Sequence, residues 1–177
     1  LTWSYVNSGL PENSYISKMS NVTNTLYVLT NSPRAIYKLV DTSWVSIDLD
    51  FEPAGFTFGG GKIFVSAENK IYMSELDNIN LIDITEGLIA SNVTPYALND
   101  DVVLAVGNNE IYKTIDGGEN WITQEGLYFR KFLITDNSLL GIGDGIFASS
   151  DQGESWQPNN SGIPSDYVGF ENAIAAT

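Results

Sequence analysis

The chain has no cysteine and no histidine, and only eight of its 177 residues are Lys or Arg. Without cysteine there is no thiol nucleophile and no disulfide. Without histidine the usual general base is missing, and the commonest zinc ligands are gone with it. Against the eight cations stand 22 Asp and Glu, a net charge of −14. Such a chain repels phosphate backbones, which excludes nucleic acid as a partner, and it lacks the basic stripe that anionic lipid attracts. No apolar run approaches the roughly 20 residues that span a bilayer, so direct membrane insertion is not expected. No segment sustains a 3.6-residue hydrophobic period, so long amphipathic helices are excluded too.

What is present is a globular composition, 43% hydrophobic, in a chain long enough for a real core. It is also repetitive. The pairs Ile36-Tyr37, Ile71-Tyr72, Ile111-Tyr112 and Ile146-Phe147 recur at spacings of 35, 40 and 35 residues. Eight to ten residues after each pair stands a large apolar residue: Trp44, Leu81, Trp121 and Trp156. Gly-Leu or Gly-Ile follows most of these, at Gly87-Leu88, Gly126-Leu127 and Gly162-Ile163. The opening "WSYVNSGLP" from Trp3 and "WQPNNSGIP" from Trp156 are the same element. In the last repeat, short alternating segments fall at Lys131–Thr135, Ser138–Ile142, Gly145–Ser149 and Ser155–Gln157. β-Branched and aromatic residues dominate them, and turn residues separate them. Four antiparallel strands per period of this length is the arithmetic of a β-propeller blade, a little shorter than the ~40–45 residues of WD repeats.

Two octapeptides share one formula. "TIDGGENW" carries Thr114, Asp116, Gly118 and Trp121; "SSDQGESW" carries Ser149, Asp151, Gly153 and Trp156. They resemble the Asp-box, or BNR repeat, of sialidase, sortilin and photosystem-assembly-factor propellers. The resemblance implies that each box is the hairpin between the third and fourth strands of a blade. Its residues suit that place. The carboxylate accepts turn N–H groups, the hydroxyl adds a bond, and the glycine takes a positive φ. The Trp then opens the outer strand and covers the seam between blades. "SELDNINL" keeps Ser74 but has Leu76 and Leu81 where Asp and Trp belong, and "LVDTSW" is a shortened hairpin with Asp41 displaced.

The all-β reading divides the chain into four complete blades, 14–48, 49–85, 86–124 and 125–158, with partial blades at 1–13 and 159–177. Trp3 falls on the last strand of one partial blade and "YVGFENAIAAT" on the first strands of the other. This predicts a piece of a longer propeller of six to eight blades. A five-bladed ring closed by the Trp3 strand lacks one strand. Opening on Leu1 rather than Met fits a processed chain or a piece of a longer one.

The resemblance to sialidases implies three substrate-binding arginines. The chain has only Arg34 and Arg130, so no enzymatic activity of that kind is expected. A glycosidase needs only two carboxylates about 5–10 Å apart, which keeps a carbohydrate-binding or glycoside-hydrolysing propeller as the alternative. Asp48, Asp50 and Glu52, and likewise Asn99, Asp100 and Asp101, offer oxygen ligands of the kind Ca2+ takes. They lack EF-hand spacing, solvated turns are the simpler account, and no cofactor is expected. The sequons at Asn21, Asn92 and Asn159 matter only in a eukaryotic secretory pathway.

The function expected is non-catalytic recognition of a protein, in a bacterial surface, secreted or periplasmic protein. In a propeller the loops from fourth to first strand and from second to third share one face; the Asp-box hairpins lie opposite. The first group carries Asp50, Glu52, Glu86, Tyr128 and Arg130; the second carries Arg34, Lys70, Asn108, Asn109 and Asp144. Arg34, Asp50, Glu52, Lys70, Tyr128 and Arg130 are the candidate binding residues, because loops on a rigid scaffold are where recognition sits.

Overall fold

The computed structural model describes residues 5–135 and 138–163. The readings placed on Trp3 and on "YVGFENAIAAT" lie outside those residues. Among the described residues, apolar alternation broken by short turns produces sixteen strands and no helix. The first sheet holds β1 (Ile16–Val22), β2 (Thr25–Thr30), β3 (Ile36–Val40) and β4 (Ser43–Ser46). The second holds β5 (Gly55–Gly59), β6 (Lys62–Ala67), β7 (Lys70–Glu75) and β8 (Ile82–Asp83). The third holds β9 (Thr94–Ala97), β10 (Val103–Gly107), β11 (Glu110–Thr114) and β12 (Ile122–Gln124). The fourth holds β13 (Phe129–Ile134), β14 (Leu139–Gly143), β15 (Ile146–Ser149) and β16 (Gln157–Pro158). Every sheet is an antiparallel meander in sequence order, and the four are arranged as a four-bladed β-propeller. Two-residue turns set the registers. At Thr23–Asn24 and Asn108–Asn109 both residues have positive φ, the twist that matches antiparallel strands.

The Ile-aromatic pairs all fall on third strands. Ile36, Ile71, Ile111 and Ile146 stand opposite Leu29, Ser66, Val106 and Ile142 of the second strands. Period-two alternation sends successive side chains to opposite faces of a blade, and the facing surfaces of successive blades pack together. Tyr27, Leu29 and Ile36 of the first blade meet Phe56, Ile63 and Val65 of the second. Phe64 and Ile71 meet Val103, Ala105, Tyr112 and Trp121 of the third. Leu104 and Ile111 meet Phe129, Phe132 and Leu139 of the fourth, where Trp156 is half-buried. β5 approaches β9 most closely and β1 more distantly, β13 approaches β10, and the first strands line the inner wall.

A backbone carbonyl anchors two of the outer-strand tryptophans. Trp121 Nε1 donates to Ile84 O of the preceding blade at 2.7 Å, and Trp44 Nε1 donates to Val6 O at 2.7 Å. Ile84 stands three residues after Leu81, as Val6 stands three after Trp3. The third seam departs from this rule. Gln124 occupies the matching position, but Trp156 Nε1 and Gln124 Oε1 are both buried without a hydrogen-bond partner among the described residues. There Gln124 Nε2 donates to Gly153 O at 2.6 Å, and buried Lys113 pairs with Glu154. The last strand, expected at Ser155–Gln157, is Gln157–Pro158. Ser155 is held by Asp151 in the hairpin, which delays the start of pairing.

The two tryptophans should therefore respond differently to losing their N–H. Trp121→Phe strands the Ile84 carbonyl and should cost roughly 2 kcal/mol, a fall in Tm of roughly 4–8 °C for a chain of this size. Trp156→Phe deletes a donor that has no acceptor and should cost less than half as much. Thermal melts of both variants check the difference; an equal loss would remove the carbonyl anchor as its cause.

Candidate functional site

Antiparallel order fixes what gathers at each end of the blades. The β1–β2 and β3–β4 type turns lie at one end, the lower. The β2–β3 type turns and the connections between blades lie at the other, the upper.

The lower end is tied together internally. In the third blade Thr114 Oγ1 donates to Asp116 Oδ1 at 2.7 Å and accepts from Gly118 N at 2.9 Å. Asp116 also accepts from Asn120 N at 2.9 Å and Asn120 Nδ2 at 2.8 Å. The fourth blade repeats this: Ser149 Oγ donates to Asp151 at 2.7 Å and accepts from Gly153 N at 2.8 Å. Ser155 donates its N–H and its Oγ to the Asp151 carboxylate at 2.9 and 2.6 Å. In the second blade Ser74 Oγ alone organises the hairpin, accepting from Asn80 N at 2.7 Å. Gly118 takes φ +101°, and a Cβ there would lie 2.6 Å from Ile84 Cδ1, so only glycine lets the hairpin press on the preceding blade. Of the two clusters considered for Ca2+, the one at Asn99, Asp100 and Asp101 lies at this end and is engaged too. Asn99 Oδ1 accepts from Asp101 N and Val102 N at 2.9 and 2.8 Å, and Asp100 Oδ1 accepts from Gly61 N of the preceding blade at 2.8 Å. Among the described residues no group of three Asp or Glu could hold a metal ion.

These hydrogen bonds all favour the ionised carboxylates. Bonds from the Asn120 side chain, Thr114 and the Asn120 backbone hold Asp116 down to about 2. Bonds from the Ser155 side chain and backbone, then Ser149, hold Asp151 below the usual carboxylate range.

The upper end is built differently. Tyr128 leads into β13 and Arg130 lies on it, after the outgoing connection of the third blade. Tyr128 OH donates to Asn109 Oδ1 at 3.2 Å and accepts from Arg130 Nε at 3.4 Å; the guanidinium lies 5.6 Å from the ring centroid. Together with Ser91, Asn92, Thr94 and Asn108 they line a cleft of about 550 Å3. Ser91 Oγ bonds Asn108 Oδ1, and Asn92 N donates to Asn69 Oδ1 at 3.1 Å. Beneath, buried Tyr112 shares its hydroxyl proton between Ile89 O and Glu110; burial first, and then Glu110, push its pKa up to about 12.

The candidate residues thus separate into groups. Tyr128 and Arg130 share the cleft with Asn108 and Asn109. Lys70 pairs with Asp83 at 2.6 Å, which raises the lysine's pKa, and reaches over Tyr72, whose ring stacks on Phe51 at 4.4 Å. Asp50 and Glu52 flank that Phe51. Arg34 is exposed on the β2–β3 turn of the first blade, after a cis Ser32–Pro33 bond. Sequence reasoning missed Ser91, Asn92 and Asn69. Their only signal is a turn-forming composition, and the partner that gives them a role lies on another turn.

Comparisons with known proteins bear on the fold. No family model matches the chain, and no curated protein matches it by sequence. Solved propellers do. YCF48 bound to D1 peptide superposes with a TM-score of 0.59 at 18% identity, over 86% of this chain and 57% of that one. PorZ, a bacterial surface component of the type-IX secretion system of Porphyromonas gingivalis, gives 0.61 at 13% identity, over 82% and 21%. Prp20p of Saccharomyces cerevisiae, described with its binding to Gsp1p and histones, gives 0.54 at 8% identity, over 80% and 46%. The chain spans less than two thirds of the length of each of these proteins.

The depressed carboxyl groups predict an acid sensitivity of known sign. A folded-state pKa below the unfolded value of about 3.9 contributes stability above that pH and loses it as pH falls toward 2. Asp116→Asn combined with Asp151→Asn should lower the melting temperature at pH 7. It should also flatten the fall in melting temperature between pH 5 and pH 2. Scanning calorimetry of both proteins across that range checks this; parallel curves would contradict the assignment.

Proposed function

We propose that the chain is a non-catalytic protein-recognition propeller whose partner docks on the upper end, at the Tyr128–Arg130 cleft. The observation that carries this is the contrast between the two ends. Lower-end carboxylates and hydroxyls are spent on holding hairpins and neighbouring blades. The cleft instead presents a phenol, a guanidinium and paired side-chain amides on a rigid scaffold. Tyr and Arg are the residues that most often dominate binding energy at protein interfaces. Asparagine amides supply both donors and acceptors for a peptide backbone.

In this reading the Thr114–Trp121 and Ser149–Trp156 hairpins are Asp-boxes of the BNR kind, which stabilise and do not bind. The similar propellers support a protein partner, since YCF48 is described with a bound peptide and Prp20p with protein partners. The location that fits is outside the cytoplasm, at a bacterial surface, secreted or periplasmic. The acidic balance and the surface role described for PorZ support it.

Peptides selected against the whole chain by phage display test the assignment of ends. Arg130→Glu and Tyr128→Ala should each weaken a selected peptide about tenfold or more, equivalent to about 1.4 kcal/mol. Glu119→Lys, on the lower β11–β12 hairpin, should leave affinity unchanged. Loss of binding in Glu119→Lys with none in Arg130→Glu would reverse the faces.

A further inference from the structure

Charge on the four innermost strands is distributed unlike charge elsewhere. The sequence has 22 acidic residues, yet β1, β5, β9 and β13 contain no Asp or Glu. Three of the eight cations, Lys18, Arg130 and Lys131, stand on β1 and β13. The inner wall is therefore cationic in a strongly anionic protein.

The registers locate two of these cations at one repeated position. Lys18 lies opposite Leu29, Gly55 opposite Ser66, Thr94 opposite Val106 and Lys131 opposite Ile142. Each of those partners faces the Ile of its blade's Ile-aromatic pair. One row around the wall thus reads Lys, Gly, Thr, Lys. The two lysine strands share a further feature. β1 is bulged between Ile16 and Lys18, and β13 between Phe129 and Lys131, whereas β5 and β9 pair without interruption. A bulge re-aims the side chains beside it and recurs next to functional sites. Here it recurs only where the row carries a lysine.

Lys18 is half-buried. Its Nζ donates to Phe56 O and lies 5.2 Å from the Phe56 ring centroid. Burial lowers its pKa, and the Lys131 ammonium lowers it further, so the two cations repel one another across the wall. Lys131 makes no ion pair or hydrogen bond among the described residues to offset this. Thr94, from the same row, also lines the Tyr128–Arg130 cleft, so the row and the cleft share one residue.

We infer that Lys18 and Lys131 form a carboxylate seat on the inner wall, which receives an acidic side chain or the C-terminus of a peptide lying in the Tyr128–Arg130 cleft. This rests on the protein-recognition reading above and adds the chemistry of the partner. Two ammonium groups on one row attract an anion, which relieves their mutual repulsion. The surrounding negative charge of the chain disfavours a doubly charged phosphate more than a carboxylate.

The probe is a fluorescently labelled tri-glutamate peptide, with tri-glutamine as its neutral counterpart, titrated into the whole chain at low ionic strength. Tri-glutamate should bind more tightly than tri-glutamine. Lys18→Gln and Lys131→Gln should each weaken it at least fivefold, and Lys38→Gln, which removes the same charge from β3, less than twofold. Should Lys18→Gln melt early, Lys131→Gln carries the comparison. Equal binding of the two peptides, or an equal loss in Lys38→Gln, overturns the seat. If selected peptides bind in an Arg130-dependent way but ignore both lysines, the seat fails and the protein-recognition reading stands. If no peptide binds, both fail.

Discussion

The seam between successive blades is the constraint on which the rest of this structure depends. A four-stranded sheet of this width cannot bury either face alone, and three seams between successive blades supply the cover here. The consequence is a side-chain rule applied to every strand: residues alternate between the seam before and the seam after. Val65 and Phe64, adjacent in sequence, belong to different cores. Outer-strand residues complete the closure. Trp44 and Trp121 combine a large apolar surface with one N–H, and the preceding stretch of chain, at Val6 and Ile84, supplies a carbonyl at the right place for it. A buried indole without such an acceptor is costly, so the position three residues beyond the outer-strand residue is part of the seam as much as the tryptophan is.

The seams are not interchangeable. The second closes with an indole-to-carbonyl bond and the packing of Ile84 on Gly118. The third places Gln124 where Ile84 stood, and its polar contacts are a hydrogen bond from Gln124 Nε2 to Gly153 O and the Lys113–Glu154 pair. An unpaired polar group in a seam is costly, because water is excluded, and Trp156 Nε1 and Gln124 Oε1 are two such groups among the described residues. Changing one residue therefore rearranges several.

The same geometry divides the labour between the two ends. Lower-end hairpins reach back onto the preceding blade, and their carboxylates and hydroxyls are consumed in doing so. Upper-end loops carry the chain onward between blades and are held from beneath, as Tyr112 holds Ile89. Their outward side chains bond across neighbouring turns, as Tyr128 does to Asn109 and Asn69 to the Asn92 backbone. Charge follows this division, with acidic residues in turns and on outer surfaces and none on the inner strands.

The all-β architecture was legible in the sequence because it is written in local signals. Ile-aromatic pairs mark third strands, and Asn, Gly and Asp mark turns. Two octapeptides, Thr114–Trp121 and Ser149–Trp156, mark hairpins whose bonds run within eight residues. Tyr128, Asn108 and Asn109 were legible as loop residues by the same means, whereas Arg130, expected on the loop, falls on β13 because that strand begins at Phe129, two residues before the expected Lys131. What the sequence alone did not determine is anything that depends on register or on contacts between blades. Thr94, Ser91 and Asn92 join the Tyr128 cleft only because a neighbouring turn comes alongside. Lys18 and Lys131 lie 113 positions apart, in strands whose bulges no composition announces. A one-residue slip would turn each lysine to the opposite face. Their shared place on the inner wall was therefore decided by strand pairing, which the tertiary structure alone supplies.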